Sequence, residues 1–309
     1  MNAPSDPHIY SLPNELFVHI LSPFPTSSLL PLATVSHRFH ALILRILHYR
    51  LLISASLNEY KLILECFHPS SKLIEPHVFC KYLGTDGLSD QHEGKGSLYE
   101  NVDTAQQLAR LGSLYSRFRP EVTVEERSSG TRLIPSTNTI EQPDDLLVTR
   151  PINLEANEDF SQLCVVVNVV KVMPGSNLLL SAVTVEDGVI RLFRNWLKTR
   201  TKHSNQPSGF SSPAGRLDKN IGSFSNEDSS HLLWVGQSQN VGLKVRVREK
   251  VDQSRHFPIL VHRDEEESTS YELDIEELHI RTTRLLMTTE QSLEQQDYLK
   301  AVIFTGNSR

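Results

Sequence analysis

The chain has 309 residues, which is enough for two domains that each bury a hydrophobic core. Apolar residues make up 39% of it and charged residues 22%, the proportions of a globular protein with some polar loop. A formal net charge of -6 argues against a general nucleic-acid binder, because such proteins neutralise phosphates with a concentrated basic surface.

The compartment is expected to be the cytoplasm, the nucleus or both. Cys66, Cys80 and Cys164 are an odd and sparse set that does not predict a disulfide framework. The first seven residues are polar and do not predict a secretory signal, and no Asn-x-Ser/Thr acceptor occurs. The most apolar segment, residues 41–53, is interrupted by basic side chains and is too short to predict a membrane span.

Three short helices are predicted near the amino terminus, in residues 9–53. Leu12, Leu16 and Ile20 recur every four residues and form one apolar stripe, which ends before Pro23 and Pro25. Two further stripes follow, each after a serine that can cap a helix. Their apolar residues are Leu29, Leu30, Leu32, Val35, Phe39, Leu42, Ile43, Ile46 and Leu47.

Residues 54–120 predict a helical extension of this region. Candidate helices cover residues 57–67, 76–83 and 103–118, and the last begins with a passable capping box at Asp103. Residues 121–152 are polar and rich in turn-forming residues, so they predict a linker between two domains.

Residues 153–306 predict an antiparallel β domain, which makes the fold class α+β. Leu243, Val245 and Val247 alternate with basic residues, as in a half-buried strand. Apolar runs at 164–172, 178–185 and 189–196 are separated by Pro174-Gly175 and Asp187-Gly188, which can form turns. Many short strands indicate a β-sandwich or jelly-roll. The serine-rich residues 201–230 predict a mobile insertion.

The three amino-terminal stripes carry an ordered motif. It reads Leu12-Pro13-Asn14-Glu15-Leu16, then Ile20, then Leu29-Leu30-Pro31-Leu32, then Val35-Ser36-His37-Arg38-Phe39. This order closely resembles the F-box, which opens with Leu-Pro-x-Glu-Leu, continues through a Leu-Leu-x-Leu helix and closes with Val-Ser or Val-Cys before a basic and an aromatic residue. The whole arrangement also resembles fungal F-box proteins of about this length.

The resemblance implies a partner protein. Three short helices cannot bury every apolar stripe against one another, and in the family the helices of the Skp adaptor cover the surplus. The resemblance implies adaptor contact at Leu12, Pro13, Leu16, Ile20, Leu29, Leu30, Leu32, Val35 and Phe39. It further implies a non-catalytic receptor that joins a cullin scaffold through the adaptor and recruits an unknown protein substrate for ubiquitination. Neither a cofactor, a nucleic acid nor a membrane is expected.

The β region offers candidate substrate-binding residues. Arg191, Arg194, Trp196 and Trp234 are of the types that most often anchor interfaces, although both tryptophans could instead fill the core. Two other functions stay open. One is a lectin-like protein that binds glycans, and the other is an F-box protein that acts outside the ligase.

A metal or catalytic site is not predicted. Cys66, His68, His77 and Cys80 have the residue types of a zinc site, but their spacing matches no common finger. No nucleophile elbow, phosphate-binding loop of the Walker type or His-Glu-x-x-His motif occurs.

Overall fold

The computed structural model describes residues 11–72, 74–121, 147–173, 179–204, 232–250 and 268–301. Most of the predicted linker 121–152 lies outside the described residues, as do the Pro174-Gly175 turn and residues 205–230 of the predicted insertion.

The described residues form six α-helices, three of them consecutive near the amino terminus. They are α1 (Asn14–Leu21), α2 (Thr26–Leu32), α3 (His37–Ser56), α4 (Thr104–Gly112), α5 (Arg194–Ser204) and α6 (Thr282–Ala301), with a 3₁₀ turn at Pro69–Ser71. The hydroxyl of Ser36 caps α3 by accepting a hydrogen bond from the Phe39 amide at 3.3 Å. The helix ends where Leu57 takes the left-handed conformation.

Within the described part of the chain, nine strands form one antiparallel sheet. They are β1 (Lys61–Phe67), β2 (Val78–Thr85), β3 (Tyr115–Glu121), β4 (Val148–Leu154), β5 (Phe160–Val172), β6 (Leu179–Phe193), β7 (Leu232–Trp234), β8 (Val241–Glu249) and β9 (Thr269–Arg281). Their order is β6-β5-β1-β2-β3-β9-β8-β7. β3 and β4 share one edge of β9, β3 along residues 278–281 and β4 along residues 269–275. The predicted α+β class is confirmed.

The single sheet curls until it is nearly barrel-shaped. The predicted sandwich would instead have two separate sheets facing each other. A register shift between Val167 and Asn168 bends the paired strands β5 and β6. The ends of the sheet then approach each other, because a Cβ added to Gly188 of β6 would lie 2.8 Å from Cγ1 of Val235, just after β7. Side chains of alternate residues, such as the fully buried Val165 and Val167, fill the interior.

The predicted helical extension 54–120 is wrong for most of its length. Residues 61–67 and 78–85 are strands, and the predicted helix 103–118 divides into α4 and β3. Short apolar runs fit a buried strand as well as a buried helix, and pairing decides between them here. The partner that fixes β1 as a strand is β5, which pairs Leu62 with Val169.

Two further expectations in the β region are corrected. Asp187 and Gly188 form no turn, because they lie within β6 opposite Val166 and Val165. Residues 282–301, expected to belong to a β-rich region, form the long helix α6. This helix packs against both α3 and β6, so it joins the amino-terminal helices to the sheet.

Candidate functional site

Most of the nine predicted adaptor-contact residues keep exposed surface in the folded chain. Four of them, all large apolar side chains, are 47–57% exposed although neighbouring residues of the same segments are packed in the core. The exposed members are Pro13, Leu16, Ile20, Leu30 and Val35, and the half-buried members are Leu12, Leu32 and Phe39.

Leu29 is the exception among the nine. Its side chain is 0% exposed and packs in one apolar cluster with Leu21 of α1 and Ile43 of α3. The face of α2 that carries Leu29 points towards the other helices, whereas Leu30 lies on the outer face. We therefore assign Leu29 to the core of the helices and not to their exposed surface.

Arg38 fixes the start of α1, where the motif begins. Its guanidinium donates hydrogen bonds to the Leu12 carbonyl and, at 2.9 Å, to Oδ1 of Asn14. The same group lies 4.7 Å from the centre of the Phe17 ring, which in turn meets Phe39 edge-on at 5.5 Å. These contacts explain why the motif needs a basic residue and an aromatic residue at its end.

The structure adds three exposed apolar residues that the motif did not contain: Phe24, Tyr49 and Ile53. Tyr49 and Ile53 line a groove of about 490 Å³ between α1 and α3, together with Val18 and Ile46. The sequence signal that could have identified Tyr49 and Ile53 is their spacing. They follow Ile46 by three and then four more residues, which continues the apolar stripe of α3.

A carboxylate from the far end of the chain holds α2 in place. Glu290 of α6 accepts hydrogen bonds from the Thr26 amide at 3.1 Å and from the Thr26 hydroxyl at 2.7 Å. Arg50 of α3 donates to the same carboxylate at 2.9 Å and also to the carbonyls of Ser22 and Phe24. Glu290 thus caps α2, a role that cannot be inferred from the local sequence.

The other side of α3 is fixed by a buried histidine. The His48 ring lies 2.9 Å from the Tyr99 hydroxyl and 2.8 Å from the Ser89 carbonyl. Burial raises the pKa of Tyr99, and burial followed by the nearby His48 lowers the pKa of His92. Both shifts keep these side chains neutral near pH 7, so the cluster serves packing better than proton transfer.

The four candidate substrate-binding residues have different surroundings. Arg194 is buried and donates to the carbonyls of Glu155 and Glu158, which makes it a brace for the turn before β5. Arg191 lies 5.4 Å from the Phe160 ring on the outer face of the sheet.

Each tryptophan has its own neighbours. Trp196 packs against the sheet core beneath Arg200, and Trp234 stacks beside Tyr115 at 5.5 Å and covers Gly242. The contacts of the four candidate residues are thus made with different sets of neighbours.

The cysteines are poor candidates for nucleophiles. Burial raises the pKa of Cys66 to about 12 and also raises the pKa values of Cys80 and Cys164. Within the described ranges, no three His, Cys, Asp or Glu side chains are arranged to hold a metal ion. No described helix is long and apolar enough to cross a membrane.

The helical region was then compared with known families. Residues 9–54 match the model of the F-box-like family, and the match covers α1, α2 and nearly all of α3. Residues 9–54 of this chain form an F-box-like domain. The match ends within α3, so it does not extend into the sheet. No curated protein and no solved structure matches the chain.

Proposed function

We propose that this chain binds the Skp adaptor through the exposed apolar side chains of α1 and α2 and the groove beside α3. The observation that carries the proposal is the half-exposure of Leu16, Ile20 and Leu30 on α1 and α2 and of Val35 in the turn before α3, within the residues that match the family. F-box domains generally bind this adaptor, and an apolar surface next to a formed core is suited to helices from a second chain.

The exposed area is large enough to anchor an interface. Complete burial of an aliphatic side chain contributes roughly 1.5–3 kcal/mol, so covering the remaining half contributes about 1 kcal/mol for each residue. Leu16, Ile20, Leu30 and Val35 together then contribute about 4 kcal/mol. Tyr49 and Ile53, which are 65% and 53% exposed, can add to this if the adaptor fills the groove.

Residues 11–53 contain three arginines, but two of them are engaged within the chain. Arg50 forms an ion pair with Glu290, and Arg38 is engaged with α1. Arg45 is exposed and faces the groove, so it is the arginine best placed to attract an acidic adaptor. We expect this charge to affect the rate of encounter more than the affinity.

We further propose that the sheet domain recruits a protein substrate and that the adaptor links the chain to a cullin scaffold. The chain then acts by holding the substrate near a ubiquitin-loaded enzyme, which raises the effective concentration without a covalent step of its own. Its three cysteines without disulfides suit the reducing cytoplasm or nucleus, where we propose that it acts.

The test replaces two exposed leucines of the helices. Leu16→Ala combined with Leu30→Ala is expected to lower the free energy of binding by about 2 kcal/mol, because less apolar surface is buried. The affinity for immobilised Skp adaptor should then fall about 30-fold. Leu83→Ala combined with Leu179→Ala is the matched control, because both leucines are exposed on the sheet. Unchanged adaptor binding by the first pair, or an equal loss by the second, refutes the proposal.

A further inference from the structure

Three basic side chains on the outer face of strands β1, β2 and β3 form no ion pair with a residue that the structure describes: Lys61, Lys81 and Arg119. Lys81 of β2 lies directly opposite Arg119 of β3, and both side chains are exposed. They point outward because Cys80, Tyr82 and Phe118, the intervening residues, pack against the core. Like charges directly opposite each other on a sheet are destabilising, so this pair costs the free chain stability.

Apolar and basic neighbours extend this face. Lys61 of β1 is exposed, and its ammonium lies 5.3 Å above the ring of Phe79. Ile63 pairs with Phe79 across the strands, and Leu83 is 39% exposed. We name Lys61, Phe79, Lys81, Leu83 and Arg119 the basic face.

The same sheet neutralises its basic residues elsewhere. On β8, Arg246 lies 2.6 Å from Glu276, Arg248 lies 2.8 Å from Asp274, and Lys244 lies 3.8 Å from Glu277. On the basic face, neither Lys81 nor Arg119 forms an ion pair with any residue of the chain that the structure describes. Glu121, an exposed carboxylate opposite Phe79, is not paired with either.

We propose that the basic face binds an acidic segment of a partner protein. Charge complementarity requires anionic groups, which carboxylates supply in a protein, and the interleaved Phe79 and Leu83 favour a segment in which acidic and apolar residues alternate. Such a segment removes the repulsion between Lys81 and Arg119 when it binds. This inference rests on the proposed function, because it assigns the substrate class of the sheet domain, but its site is separate from the adaptor helices.

The test measures fluorescence anisotropy of a labelled short peptide of alternating glutamate and leucine with the full chain. Lys81→Gln combined with Arg119→Gln is expected to lower the affinity at least about tenfold, since two charge pairs are lost. The matched control is Lys244→Gln combined with Arg246→Gln, which removes the same charge from β8. This control is expected to leave the affinity unchanged, because Glu277 and Glu276 already neutralise Lys244 and Arg246.

Several results overturn the inference. They are the absence of saturable binding by the unmodified chain, equal binding of a peptide with glutamine in place of glutamate, and an equal loss in the control. A short polyuridine RNA is measured in the same way. If it binds more tightly than the peptide and loses affinity in Lys81→Gln/Arg119→Gln, the partner is a nucleic acid and the proposed class of partner is wrong. Adaptor capture of this variant is measured in parallel and should be unchanged, so failure of the basic face is distinguishable from failure of adaptor binding.

Discussion

Glu290→Ala is expected to destabilise the amino-terminal helices even though residue 290 lies more than 230 residues away from them along the chain. The substitution removes the acceptor for the Thr26 amide, the Thr26 hydroxyl and the Arg50 guanidinium. Loss of a helix cap costs about 1 kcal/mol. A hydrogen bond to a charged group contributes about 1.5–3 kcal/mol. The loss at Arg50 is expected to lie at the low end of this range, because its guanidinium still donates to the Thr26 hydroxyl and to the Ser22 and Phe24 carbonyls. The total is therefore about 2–3 kcal/mol.

The assay is urea unfolding followed by circular dichroism. With a denaturant dependence of about 2–3 kcal/mol per molar, the midpoint is expected to fall by about 1 M. Glu290→Gln should lose less, because its amide oxygen can still accept from Thr26. Glu294→Ala is the matched control, since Glu294 is exposed on the same helix. If Glu290→Ala shifts the midpoint no more than Glu294→Ala does, the reasoning about the cap is refuted.

Two more predictions follow from burial. Leu29→Ala removes a fully buried side chain and is expected to cost about 2–5 kcal/mol in urea unfolding, whereas Leu30→Ala, next to it but exposed, should cost under about 1 kcal/mol. Equal costs would contradict the assignment of Leu29 to the core. The free energy of unfolding should also decrease as the pH rises from about 9 towards 12, because the Cys66 thiol ionises near 9 when unfolded and only near 12 when folded. Cys66→Ala should weaken that dependence, and an unchanged pH profile would contradict the burial of the thiol.

The amino-terminal helices could be predicted because their signals are local. Ser36 caps a helix three residues before Phe39, and Leu16 and Ile20 repeat at helical spacing on one face. Such signals do not depend on what the rest of the chain does. The exception is instructive: the stripe pattern gave Leu29 and Leu30 the same role, and only packing against Ile43 separates the buried one from the exposed one.

The strand β1 could not be predicted because its structure depends on distant pairing. Residues 62–67 are apolar except for Glu65, and a buried helix can have the same short apolar run. Their strand conformation follows from β5, whose Cys164 lies opposite Phe67 nearly a hundred residues later. No short-range signal carries that information.

The helix α6 escaped prediction for a different reason, which also explains its role. Its buried positions include Thr282, Thr288, Thr289 and Ser292, so its apolar stripe is too weak to indicate a core-facing helix. Two of these hydroxyls find partners on the neighbouring elements, because Ser292 bonds to Ser181 of β6 and Thr289 lies 3.3 Å from Ser54 of α3.

The two sides of α6 together determine how the proposed adaptor site is oriented to the sheet. On one side, Glu290 holds α2 and α3, and on the other, Arg284 donates to the Val185 carbonyl of β6 at 2.9 Å. Hydrogen bonds are directional, so they fix both the distance and the angle between the elements that they join. Apolar packing alone restrains that angle less. If the helices bind the adaptor and the sheet presents a substrate, this helix sets the position of the substrate relative to the ligase. Glu290 and Arg284 then matter for ubiquitin transfer, although neither is among the exposed apolar residues proposed to bind the adaptor or among the residues of the basic face.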